Sequence, residues 1–128
     1  PLQFHENARP SAIAALCVGK VGGAEAFYKF ADAAYSKGSS DPSVIAPANL
    51  PALAASTGVN AAKWKSCFDA KETEARIDQD IKEGTSAGVN GTPGFILVNN
   101  KTGKVKSIAG AQPAASFEAA LTELGVTK

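Results

Sequence analysis

Apolar residues recur at helical spacing through the first third of the chain. Asn7 can cap a helix whose apolar face ends near Gly19, and the pattern starts again after Gly23 and stops at Gly38. The two apolar faces consist of Ala12, Ile13, Leu16 and Cys17, and of Phe27, Phe30, Ala31, Ala34 and Tyr35. We therefore predict two consecutive amphipathic helices.

Two short helices are predicted after a connection at residues 39–48 that is rich in Pro and Ser. Asn49 can cap the first, which carries Pro51 in its first turn and ends at Gly58. Asn60 can cap the second, which runs through Trp64 to residue 68.

A polar helix is predicted from residue 71 onward. Glu72 stands four positions before Arg76, and Asp78 four before Lys82, the orientation that favours ion pairs along one helix. We interpret its acidic residues as a solvated surface and not as a catalytic acid pair. They are Glu72, Glu74, Asp78, Asp80 and Glu83.

The pattern changes at residue 88 to that of a β-hairpin followed by a helix. Residues 95–98 are four consecutive apolar positions, which predicts a short strand covered on both faces. Turn residues at 99–103 and a second β-pattern at 105–109 complete the hairpin. Gln112 and Pro113 open a last helix, which ends at Gly125.

The predicted sheet is incomplete. A strand that is buried on both faces needs a second neighbour, and an isolated two-stranded ribbon is only marginally stable in water. We expect the apolar opening at residues 1–4, a second copy, or a piece outside the sequence to supply that neighbour.

Composition and charge exclude several classes of protein. The 128 residues are 45% hydrophobic and 20% charged, as in a globular domain, and a net charge of +1 without a basic cluster argues against nucleic acid or an anionic membrane as a partner. The longest apolar run, residues 12–18, is far shorter than the roughly 20 residues of a membrane span. The sequence opens at Pro1 and contains no Met, so we expect it to begin after a processing or cutting event.

The Gly-rich stretch at residues 88–94 is the most distinctive motif. It follows a helix and opens a strand, which is the reverse of a dinucleotide-binding fingerprint. Its notable feature is Thr92-Pro93 directly before the strand, because Pro cannot donate to a ladder. From the residues alone, Pro93 is either a trans proline in an ordinary turn or a cis proline with a special role.

The run from Glu83 to Val98, with Gly91-Thr92-Pro93 at its centre, resembles the cis-proline segment of DsbA-like thiol:disulfide oxidoreductases. Residues 4–17 are similar to the start of that family's inserted helical region, and residues 110–117 to its last strand-to-helix junction. The resemblance covers nearly the whole chain. It implies that Pro93 is cis and that Gly91, Thr92 and Pro93 bind an extended substrate peptide.

The resemblance also implies a fold. We expect an α/β class, namely a truncated thioredoxin-like fold made mostly of a helical insertion, with a C-terminal β-hairpin and a final helix. Residues 1–128 would form a single domain, divided into the insertion at 5–87 and the cis-proline segment, hairpin and last helix at 88–128.

The sequence departs from the family at its redox centre. Catalysis in these enzymes needs a Cys-x-x-Cys at a helix N-terminus, where the thiolate is stabilised. The only cysteines are Cys17 and Cys67, so no such motif is contained here. The family's first strand, redox motif and first helix would all precede Pro1. We therefore expect no catalytic residue, metal or cofactor in this chain.

Cys17 and Cys67 lie on apolar helical faces, so two buried free thiols remain one interpretation. Family members with cysteines at these positions can link the inserted helices through them, which makes a disulfide the preferred prediction. His5 is the only histidine and has no metal-ligand spacing or nucleophile beside it, so we expect a loop or capping role.

Three functions compete at this stage. The preferred one is part of an exported, extracytoplasmic thiol:disulfide oxidoreductase acting on protein disulfides, with its redox pair outside this chain. Its partners would be an extended protein or peptide and, at the open sheet edge, its own cleaved N-terminal segment or a second copy. The alternatives are a non-catalytic thioredoxin-like peptide-binding or chaperone domain, and a structural helical domain in which Thr92-Pro93 is only a turn.

Overall fold

The computed structural model describes residues 1–2 and 5–126, in two compact units, Pro1–Ile81 and Lys82–Lys128. Part of the predicted apolar opening, Gln3 and Phe4, lies outside the described residues. The described helices are all too short or too polar for a membrane crossing. The elements are helices α1 (Ala8–Gly38), α2 (Leu50–Ala55), α3 (Ala61–Asp69) and α4 (Glu74–Ser86), strands β1 (Gly94–Val98) and β2 (Val105–Ala109), and helix α5 (Ala114–Glu123). The predicted α/β order of helices, hairpin and final helix is confirmed.

Helix α1 contains the break between the two predicted helices. Gly23 has φ 79° and ψ −174°, a non-helical conformation that glycine adopts readily. The prediction that the first helix ends near Gly19 is wrong, because Gly19 serves close packing: a Cβ there would lie 3.3 Å from Cβ of Phe27. A Cβ on Gly22 would lie 2.6 Å from Cγ1 of Val59. Of the glycines in α1, Gly23 alone has a positive φ.

The core of the 1–81 unit is formed by apolar side chains from its helices. The Trp64 indole satisfies its N–H by donating to Ala14 O at 3.2 Å, and its ring stacks on Phe68 at 5.0 Å. The buried cluster comprises Ile13, Ala14, Cys17, Val18, Ala26, Phe30, Leu50, Leu53, Ala54, Trp64, Cys67 and Ile77.

The short elements differ in how they are capped. Asn60 caps α3 as predicted, accepting from the N–H three residues on at 2.9 Å. Asn49 stands at the start of α2, but its carboxamide donates to Ser43 O at 2.9 Å instead. That carbonyl belongs to a 3-10 helix, Pro42–Ile45, within the predicted connection, and Asp41 caps it by accepting from Ser43 N at 3.0 Å.

Ion pairs connect α1 with the segment around the start of α4. Arg9 donates to Asp78 at 2.7 Å and to Glu74 at 3.1 Å, and these bonds raise the pKa of the Arg9 guanidinium above its ordinary value. Lys20 pairs with Glu72. The prediction that Glu72 and Asp78 pair with basic residues four positions later is wrong, because α1 supplies their partners.

The 82–128 unit contains the end of α4, the hairpin and α5. Gly94 pairs with Ala109 and Val98 with Val105, in antiparallel register. The prediction that β1 is covered on both faces is wrong for this chain, since Ile96 is 42% and Val98 51% exposed. Within the described part of the unit, β2 is the only strand beside β1.

Candidate functional site

Helix α4 ends in a glycine turn that leads the chain into the site segment, which we define as residues 88–94. Gly88 has φ 81° and donates to Thr85 O at 3.0 Å, while Val89 N donates to Gly84 O at 2.9 Å. This pair of bonds is the Schellman ending, which places a glycine in the left-handed region just after the helix. The direction in which the site segment leaves α4 is therefore fixed locally.

The two ends of the site segment touch each other. A Cβ added to Gly94 would lie 2.8 Å from Cγ1 of Val89, closer than two carbon atoms pack. A glycine at 94 is therefore required for the Val89 side chain to lie against the start of β1. Residues 90–93 form the loop between Val89 and Gly94.

Pro93 joins the site segment to the hairpin. The Thr92–Pro93 peptide bond is cis, and Pro93 O accepts from Gly110 N at 2.8 Å. Gly110 follows β2 with φ 78°, a conformation that favours glycine. Because Pro93 has no N–H, the ladder cannot continue past it toward the loop. The sequence pattern did not predict that Gly110 donates to Pro93. The signal for it was a glycine at the end of the second predicted strand.

The register determines which backbone groups of β1 point away from β2. Hydrogen bonds from Gly110 N to Pro93 O and from Asn99 N to Lys104 O bracket the ladder, so residues 95 and 97 face β2. The N–H and C=O groups of residues 94, 96 and 98 point to the opposite side. Among the described residues, no strand pairs with that side.

Thr92 lies just before this open edge and is itself exposed. Within the described part of the chain, neither its backbone nor its hydroxyl takes part in a hydrogen bond. An extended peptide pairs with backbone groups of this kind by adding a strand. The backbone N–H and C=O groups of Thr92 are therefore available to hydrogen-bond an extended polypeptide.

Apolar side chains flank the open edge on both faces of the hairpin. On one face Phe95 packs edge-on against Phe117 of α5, with ring centroids 4.9 Å apart, and remains 38% exposed. On the other face lie Ile96, Val98 and Val105, which is 59% exposed. A strand beside β1 would cover part of this surface.

Cys17 and Cys67 form a disulfide in the 1–81 unit, with Cα atoms 5.8 Å apart. The two residues are 0% and 3% exposed, and Thr73 Oγ1 lies 3.9 Å from Cys17 Sγ. An attacking thiolate must reach a sulfur atom for disulfide exchange, and burial prevents this approach. The bond links α1 to α3.

His5, Glu25 and Asp41 all belong to the 1–81 unit and lie outside the site segment. His5 O accepts from Ala8 N at 2.9 Å at the start of α1, and no metal-binding group of side chains occurs among the described residues. The Lys29 ammonium lowers the pKa of Glu25, and hydrogen bonds from the Ser43 hydroxyl and N–H lower that of Asp41.

Gly91, Thr92 and Pro93 are consecutive residues of the site segment in the 82–128 unit. Cys17 and Cys67 are bonded to each other in the 1–81 unit. The sequence is similar to one known family along nearly its whole length: the model of the DSBA-like thioredoxin domain matches residues 1–122. No curated protein and no solved structure gives a significant match.

Proposed function

Because the chain belongs to the DSBA-like thioredoxin domain family, we propose that it is part of an exported thiol:disulfide oxidoreductase that acts on protein disulfides. The observation that carries the proposal is the site segment, in which exposed Thr92 stands directly before the unpaired edge of β1. In this proposal Gly91, Thr92 and Pro93 hold an extended substrate, and the redox cysteine pair lies outside the printed sequence.

The proposal assigns no thiol chemistry to Cys17 and Cys67. A redox cysteine acts as an exposed thiolate with a lowered pKa. These two sulfur atoms are buried and bonded to each other. Their disulfide has a structural role, and it supports an extracytoplasmic location because such bonds persist in oxidising compartments.

The open edge of β1 has its own occupant in this proposal. The family's first strand, carried by the segment that would precede Pro1, pairs with residues 94–98, and a second copy of the chain is the other candidate. The outward-pointing backbone groups and the exposed side chains of Ile96 and Val98 support a strand partner. Residues 1–128 then belong to one domain, with the helical insertion at 5–87 and the hairpin part at 88–128.

The occupant of the edge is identified by mass. Denaturing mass spectrometry gives the chains present in the sample, and native mass spectrometry gives their assembly. We expect a cleaved N-terminal segment bound to the chain. A well-folded 13.0 kDa monomer with no second chain would contradict both candidate occupants.

The second candidate function is a non-catalytic peptide-binding or chaperone domain. The burial of the only two cysteines in a disulfide favours it. It would use the same residues, 91–93, so peptide binding does not separate the two functions. A strand and a Cys-x-x-Cys directly upstream in the natural protein would decide for the oxidoreductase.

Substrate binding is tested by titrating the isotope-labelled chain with carboxymethylated insulin B chain, an unfolded polypeptide without thiols. We expect amide shifts concentrated at Gly91 and Thr92. Thr92→Pro removes a backbone donor and should abolish the shifts, whereas Thr92→Val keeps that donor and should retain them. Shifts elsewhere, or equal binding by both variants, would contradict the assignment.

A further inference from the structure

We propose that Asn90–Gly91 is a site of spontaneous deamidation, which converts the site segment into an isoaspartyl form. The backbone nitrogen of Gly91 attacks Cγ of Asn90, so that an N–Cγ bond forms, the Cγ–Nδ2 bond breaks and ammonia leaves. Water then opens the cyclic imide at either carbonyl and yields aspartate or isoaspartate. The reaction consumes one water molecule and needs no oxidant or reductant.

Both reacting groups are free in the structure. Asn90 is exposed, and within the described residues neither its carboxamide nor Gly91 N–H forms a hydrogen bond. A Cβ added at Gly91 would meet nothing within 4 Å, so there is open space beside the Gly91 Cα. Glycine also lets the backbone adopt the unusual dihedral angles that ring closure requires.

Among the described residues, hydrogen bonds anchor the loop at residues 89–93 only at its two ends. Val89 N–H is bonded to Gly84 O at 2.9 Å, and Pro93 O accepts from Gly110 N at 2.8 Å. Between these anchors, Asn90 and Gly91 form no hydrogen bond with any described residue that ring closure would have to break.

The other hairpin asparagines lack this freedom. Asn99 donates to Leu124 O at 2.8 Å and accepts from Lys101 N at 2.9 Å, which holds its carboxamide in place. Asn100 is exposed, but the N–H that would attack it is the Lys101 N–H already bonded to Asn99. Asn100 is therefore an internal control of similar exposure.

The consequence for binding rests on the proposed function. Deamidation adds a negative charge, and an isoaspartyl linkage adds one carbon to the main chain two residues before Thr92. The backbone of Thr92 then leaves its register with a bound strand. Ageing of the chain would thus weaken peptide binding.

The modification is tested by incubating the intact chain in mildly alkaline buffer and mapping its peptides by mass, with enzymatic detection of isoaspartate. We expect residue 90 to deamidate at least about tenfold faster than residue 100, equivalent to about 1.4 kcal/mol in barrier height. Gly91→Ala should slow the reaction to the rate of Asn100, and Asn90→Gln should remove the isoaspartate signal. Equal rates at the two positions would overturn the proposal.

The binding consequence has a separate readout. The isoaspartyl chain, separated from the unmodified one, should show reduced shifts in the insulin B-chain titration. Unchanged binding would refute this consequence. Failure of the unmodified chain to bind would refute the proposed function and leave the deamidation result standing.

Discussion

Phe30 in the 1–81 unit is 1% exposed, whereas Phe95 in the 82–128 unit is 38% exposed. The first ring lies within a cluster supplied by four helices, and the second meets one ring of α5 on a two-stranded ribbon. Most of the buried apolar side chains lie in the 1–81 unit, whereas three apolar side chains of β1 are exposed. The comparison indicates that the 1–81 unit supplies its own core, whereas the 82–128 unit leaves a strand edge and apolar side chains exposed at the place where we propose that a further strand binds.

Matched Phe→Ala substitutions should give the largest contrast between the units. We expect Phe30→Ala to lower the free energy of unfolding by about 3–5 kcal/mol because it leaves a cavity in a packed core. Phe95→Ala should lower it by only about 1 kcal/mol, mainly through the lost ring contact with Phe117. Urea unfolding of both variants provides the measurement, and equal losses would remove the distinction.

Loss of the disulfide should affect the helical unit alone. The bond closes a loop with a sequence separation of 50, for which the chain-entropy model gives about 4 kcal/mol. In the Cys17→Ala, Cys67→Ala double variant, we expect this loss in the unfolding of α1 and α3, followed by Trp64 fluorescence. Hydrogen exchange in β1 and β2 should not change. Two free thiols in the unfolded, unreduced protein would contradict the bond itself.

The smallest expected effect concerns the cap of the 3-10 helix. Hydrogen bonds from Ser43 lower the pKa of Asp41. Because the pKa of Asp41 is lower in the folded than in the unfolded chain, the ionised side chain stabilises the fold at pH values above its unfolded-state pKa of about 4. This stabilisation is lost as the pH falls through the folded-state pKa. Asp41→Asn should therefore destabilise the protein slightly at neutral pH, with the difference from wild type vanishing in acid. A difference that grows as the pH falls would show that the sign is wrong.

The order of elements could be predicted because apolar spacing, caps and turn residues are local signals. The sequence pattern could not distinguish Gly19, which packs on Phe27, from Gly23, which breaks the helix. Nor could it assign Asp78 to Arg9, since that pair depends on how helices pack.

At the candidate site, the motif identified Gly91, Thr92 and Pro93, and the family resemblance is the source of the role that we propose for them. The contacts that shape the site segment, Val89 on Gly94 and Gly110 on Pro93, join residues whose proximity arises only in the folded chain.

The central claim is that this chain holds the substrate while cysteines outside it carry out the exchange. The most direct test measures insulin reduction by the 128-residue chain beside the natural protein with whatever sequence precedes Pro1. We predict no turnover by the chain, and turnover by the natural protein that disappears when its upstream cysteines are replaced. Turnover by the chain that survives Cys17→Ala and Cys67→Ala, or no turnover by the natural protein, would contradict the account.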